Sequence, residues 1–75
     1  MNLYERFLQT DDAILIKNRY KEIIINRKEE INNILKNEHS KLFYIDILQD
    51  VLETIINDMN KQLINGFEYW LLKKD

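Results

Sequence analysis

The chain has no cysteine and no proline among its 75 residues, and only one glycine and one histidine. Without cysteine, the sequence excludes disulfides, thiolate zinc sites, iron–sulfur ligation and cysteine nucleophiles, so nothing in it indicates an oxidising compartment. Because Gly66 is the only glycine, neither a P-loop nor the dinucleotide-binding glycine pattern is present. At this length we expect a single helical domain over residues 1–75, with a core close to the smallest that folds without help.

Long hydrophobic runs are missing as well. The uncharged apolar stretches fall far short of the about 20 residues that a membrane-spanning helix needs. The N-terminal segment also lacks a basic stretch followed by an apolar one, so we expect no secretory signal, no membrane partner and a cytoplasmic location. Isoleucine (12), asparagine (9) and lysine (8) are abundant, as expected from AT-rich codons, which suggests a low-GC bacterium, its phage or its plasmids.

The scarcity of helix breakers predicts long helices separated at two polar points. We expect a short helix over about 3–9 with Asn2 as its cap, and a cap for the next helix at Thr10. The main turn is predicted at 37–40, where Asn37 ends one helix and Ser40 caps the following one.

Two segments, about 12–37 and 41–65, carry apolar residues at helical spacing. This period predicts two long amphipathic helices and argues against strands. For the helical segment at about 67–74, two alternatives remain open after the Asn65–Gly66 pair: it continues the third helix, or it folds back as a short fourth one.

These segments predict an all-α fold, an antiparallel helical hairpin of two long helices with short terminal helices. The third segment is apolar over nearly half of its helical wheel, and Ile14 and Ile25 lie outside the main apolar stripe of the second. Because two helices cannot cover so much apolar surface, we expect a homodimer that forms a four-helix bundle. The alternative is a compact monomer capped by both terminal helices.

Charge is divided between the two long helices. Six basic and four acidic residues over 12–37 give +2, whereas two basic and four acidic residues over 41–65 give −2. A hairpin would bring Arg27 and Lys28 level with Asp50 and Glu53, and Lys21 level with Asp58. Exposed pairs of this kind contribute only about 0–1 kcal/mol, so we expect them to select the helix pairing more than to stabilise it.

Three features are candidates for binding a protein partner. The first is the pair of off-stripe residues, Ile14 and Ile25. The second is a row of acidic residues on one flank of the third helix, which would dock a basic partner or simply be solvated: Asp46, Asp50 and Glu53. The third is an aromatic tail that would pack on the bundle end, contact a partner or lie at a membrane interface: Phe67, Tyr69, Trp70 and Leu71.

Basic residues of the second helix support a competing hypothesis, a nucleic-acid-binding surface made by Lys17, Arg19, Lys21, Arg27 and Lys28. Acidic residues interrupt this row, and the net charge of the chain is −2, so a solvated and internally paired face is preferred.

The sequence contains few residues suited to catalysis. His39, the only histidine, is predicted to be a turn residue beside Ser40, and no Glu-x-x-His metal pattern occurs. We therefore expect no catalytic, metal or cofactor site, and no cofactor. The leading hypothesis is a non-enzymatic interaction module that regulates or inhibits another protein and self-associates. The alternative is a nucleic-acid-binding regulator.

Overall fold

A computed structural model describes residues 2–37 and 41–73 of the chain. Over these residues the fold is all-α, as predicted, with no strand. The helices are α1 (Leu3–Leu8), α2 (Asp11–Asn37) and α3 (Phe43–Lys73). Glu38, His39 and Ser40 lie outside the described residues, so the predicted cap at Ser40 and the turn role of His39 stay predictions.

The corner between α1 and α2 is held by side-chain caps. Asn2 caps α1 as predicted, because its Oδ1 accepts a hydrogen bond of 2.8 Å from the backbone N–H of Glu5. Thr10 acts on both helices: its hydroxyl donates to the Phe7 carbonyl at 2.6 Å and accepts from the Ala13 N–H at 3.3 Å. One threonine therefore ends α1 and begins α2.

The third helix includes the aromatic tail. It runs without a break through Asn65 and Gly66 to Lys73, so of the two alternatives left open for the tail, continuation of the third helix is the one observed. Gly66 has no left-handed backbone conformation, and its function is to leave space. A Cβ atom built there would lie 3.0 Å from Cζ of Phe7 and 3.4 Å from Cδ1 of Ile16.

Helix α2 packs along α3, and α1 contacts both. Ile16 lies beside Gly66, Tyr20 donates a hydrogen bond to Asp58, and Ile34 lines a groove with Tyr44. Residues later in α2 therefore lie beside residues earlier in α3. The molecule measures 57 × 20 × 16 Å, an elongated shape in which most side chains have few possible neighbours.

The hydrophobic core lies at one end of the molecule, which we call the terminal end (residues 3–16 and 59–73). Phe7, Ala13 and Leu63 are buried there. Partly buried side chains surround them: Tyr4, Leu8, Ile16, Met59, Phe67 and Trp70. At the opposite end, the loop end (residues 27–37 and 41–52), Ile31 is the one buried hydrophobic side chain among the described residues.

Candidate protein-interaction surface

The two off-stripe isoleucines are exposed as predicted, with 42% of each side chain accessible. Ile14 and Ile25 lie on the same outward side of α2, about 16 Å apart along the helix axis at 1.5 Å per residue. Exposed polar residues, among them Asn18 and Lys21, lie between them on that side. The two side chains are therefore separate apolar points on a polar surface, an arrangement common on monomeric proteins.

The acidic row is also exposed, because Asp46, Asp50 and Glu53 all face solvent. The expected ion pairs across the helices are wrong, however. Arg27 pairs with Glu30 of its own helix, with 3.2 Å between Nη1 and Oε2. A partner three residues away is within reach without crossing the interhelical gap, which explains why the local pair forms.

Asp58 has a different partner from the one expected. Instead of Lys21, the phenol of the adjacent Tyr20 donates to its Oδ2 at 2.7 Å. This hydrogen bond to a carboxylate, assisted by partial desolvation, raises the pKa of Tyr20 above its usual value because the proton has an anionic acceptor. The pair connects the middle of α2 to the middle of α3.

The aromatic tail is divided between two environments. Phe67 and Trp70 pack against the core, with ring centroids 5.7 Å and 5.9 Å from that of Phe7, which agrees with the packing alternative for these two rings. Tyr69 and Leu71 remain 59% and 37% exposed. Nζ of Lys73 lies 4.5 Å from the centroid of the Tyr69 ring. Tyr69 therefore contacts a lysine of its own helix and lies outside the core.

The five basic residues of α2 do not form one face. Nζ of Lys17 donates to the Leu8 carbonyl at 3.4 Å, and Arg27 is half-buried and paired with Glu30. Arg19 and Lys21, two residues apart, point to nearly opposite sides of the helix. Lys28, seven residues after Lys21, returns to the side of the helix that carries Lys17 and Lys21, so three lysines share one side while the two arginines point away from it.

Two grooves between α2 and α3 are features that the sequence did not predict. One, of about 410 Å³, is bordered by Tyr20, Ile23, Ile55 and Asp58 among others. The other lies at the loop end, has a volume of about 430 Å³, and is lined by Glu30, Ile34, Lys41, Tyr44 and Leu48.

An exposed apolar surface adjoins the second groove. Along α3, Tyr44, Ile47 and Val51 are 44%, 56% and 40% exposed, and Leu48 is partly buried between them. Their spacing places them on one flank of the helix. We call this surface the loop-end patch, made of Ile34, Tyr44, Ile47, Leu48 and Val51. A signal for it was present in the sequence, because the apolar face of the third segment is wider than one neighbouring helix covers.

Other kinds of site have little support in the described part of the chain. Residues 2–37 and 41–73 contain no group of three or more histidine or carboxylate side chains placed to hold a metal ion. None of the three helices, over the residues described, is both long enough and apolar enough to cross a bilayer.

Comparison with known proteins gives no functional lead. No protein-family model matches the chain, and no curated protein and no solved structure matches it. Its own surfaces are therefore the basis for any functional argument.

Proposed function

We propose that this protein is a small non-enzymatic interaction module. In this proposal it is an antiparallel helical hairpin, self-associates into a four-helix bundle, and regulates or inhibits another protein by presenting a helix face to it. The observation that carries the proposal is the amount of uncovered apolar surface. Among the described residues fifteen large hydrophobic side chains are exposed, whereas four hydrophobic residues are buried.

The dimensions of the molecule support self-association. Its radius of gyration is 16.3 Å, compared with about 11 Å for a compact domain of this length. Its accessible surface is 5934 Å², compared with about 4,900 Å² for a compact monomer of 9.2 kDa. The excess of about 1,000 Å² exceeds the about 800 Å² that each partner buries in a standard protein interface.

The proposed class of partner follows from the distribution of charge. The long helices carry opposite net charges. Of the five candidate basic residues of α2, three lysines share one side, whereas Arg19 points away from it and Arg27 is paired with Glu30 of the same helix. A protein surface tolerates such mixed charge, whereas a nucleic acid favours cations on one face. A bacterial or phage-encoded cytoplasmic regulator of another protein fits these properties better than the nucleic-acid-binding alternative does.

Light scattering after size exclusion tests the proposal. Across micromolar concentrations we expect a particle of twice the 9.2 kDa chain mass. A strictly monomeric mass over this range would contradict self-association and favour the monomeric alternative. A fluorescent oligonucleotide at low salt tests the alternative, because tight binding that weakens steeply with added salt would identify a nucleic-acid binder.

A further inference from the structure

We infer that two copies of this chain meet through the loop-end patch, in preference to the isoleucines, acidic row and aromatic tail that the sequence suggested. The inference rests on the proposed self-association and adds to it the identity of the surface. It also makes a distinct prediction, because a dimer can exist while a different surface holds it together.

The form of the patch matches what a helix from a partner covers. Tyr44, Ile47, Leu48 and Val51 follow the spacing i, i+3, i+4 and i+7, which makes one apolar stripe on α3. Across the groove of about 430 Å³, Ile34 of α2 extends the apolar surface. A helix laid along this groove would meet Ile34, Tyr44 and Leu48, which line it, and Ile47 and Val51 continue the same stripe beside it.

The position of the patch explains why it is uncovered within one chain. Helix α1 has six residues, and its one buried residue, Phe7, belongs to the core at the terminal end. At the loop end, by contrast, only α2 and α3 are described. A second copy supplies the missing layer, since its two long helices would complete a four-helix arrangement there.

The charges around the patch favour a second copy over a strongly charged partner. The groove beneath it is bordered by one acidic side chain, Glu30, and one basic side chain, Lys41. A rim with both signs can meet an identical rim without imposing a single-sign repulsion. The acidic row is less suited to this contact, because a two-fold axis through it would bring like charges together.

Paired lysine substitutions test the inference. Ile47→Lys with Val51→Lys places charge in the patch at side chains that are already exposed, so the helices should remain folded by circular dichroism. We expect the dissociation constant of the dimer to rise at least about 100-fold, as for loss of central interface contacts. The matched control, Ile14→Lys with Ile25→Lys, makes the same chemical change on the outer side of α2 and should leave the dimer intact.

The outcomes separate this inference from the proposal beneath it. A monomeric parent protein would overturn both. A dimeric parent whose patch variant also remains dimeric would overturn the inference alone, and dissociation of only the control variant would move the interface to α2.

A second measurement remains informative if the lysine variant unfolds. Because the chain has no cysteine, Val51→Cys or Glu53→Cys can each carry a single environment-sensitive dye. On raising the protein concentration through the dimerisation range, we expect a blue shift of the dye at position 51 and little change at position 53. A shift only at position 53 would refute the assignment of the patch.

Discussion

The terminal end and the loop end are built from the same two helices, yet only the terminal end has a developed core. Apolar side chains are plentiful at both. At the terminal end α1 brings Phe7 against α3, and Phe7 and Leu63 are 0% and 3% exposed. At the loop end Phe43 remains 66% exposed. The number of packed layers, more than the apolar content, decides whether a helix face becomes a core.

This difference shows how a six-residue helix can decide the stability of one end. Tyr4 and Phe7 approach Phe67 with centroid distances of 5.1 Å and 5.7 Å. Aromatic contacts at these distances add about 0.5–1.5 kcal/mol each beyond the area that they bury. The loop end has the corresponding apolar stripe on α3 without a third helix to cover it.

The largest expected effect compares one phenylalanine from each end. Phe7→Ala removes the most buried large side chain, and we expect the free energy of unfolding to fall by about 3–5 kcal/mol, much of the stability of so small a domain. Phe43→Ala should change it by less than about 0.5 kcal/mol because that ring is exposed. Urea unfolding followed by circular dichroism at one fixed protein concentration measures both, and equal losses would remove the distinction between the ends.

An intermediate effect is expected at Gly66. Gly66→Ala gains about 1 kcal/mol of helix propensity, but its Cβ would lie 3.0 Å from Cζ of the buried Phe7 ring, and overpacking costs about 1–3 kcal/mol. We expect a net loss of about 1 kcal/mol in the free energy of unfolding.

A double-mutant cycle checks the cause of that loss. In a Phe7→Leu background, which lacks the Cζ atom, Gly66→Ala should instead stabilise the protein by about 0.5–1 kcal/mol. The same sign in both backgrounds would show that close approach of Phe7 is not the reason for glycine at this position.

The smallest effect concerns the Tyr20–Asp58 hydrogen bond between the two ends. Because the pKa of Tyr20 is raised in the folded state, its contribution to stability is fully present below the unfolded value of about 10 and is lost as the pH rises through the folded pKa. Tyr20→Phe should slightly lower stability at neutral pH, and it should lose less stability than the parent protein as the pH is raised. Thermal melts over an alkaline pH series would test this. In the control, Tyr69→Phe, stability should fall with rising pH as it does in the parent protein.

The sequence was sufficient to predict the helices but not how far the last one extends. The all-α class, the Asn2 cap and the cap at Thr10 follow from local patterns whose effects reach only a few residues. The end of α3 does not follow from local patterns, because Asn65 and Gly66 together resemble a helix terminus. Close approach of the Phe7 ring and of Ile16, both distant in sequence, explains why glycine is placed within a helix.

The candidate surface shows the same limit. A helical wheel gives the direction of each side chain, so it correctly placed Ile14 and Ile25 outside the main stripe. It does not give the number of neighbours in that direction, so it cannot tell which residues of the wide apolar face of the third segment, such as Tyr44 and Val51, remain exposed. Arg27 similarly formed a local pair with Glu30 where a longer-range one was expected.

The contact between Phe7 and Phe67 also has a consequence for synthesis of the chain. Its two rings are separated by about 60 residues, and translation proceeds at about 5–20 residues per second. About 3–12 seconds therefore separate the synthesis of Phe7 from that of Phe67. Helix α1 cannot pack into its core until translation has reached the last part of α3. A ribosome that stalls before Phe67 would hold a chain whose largest fully buried side chain is still exposed.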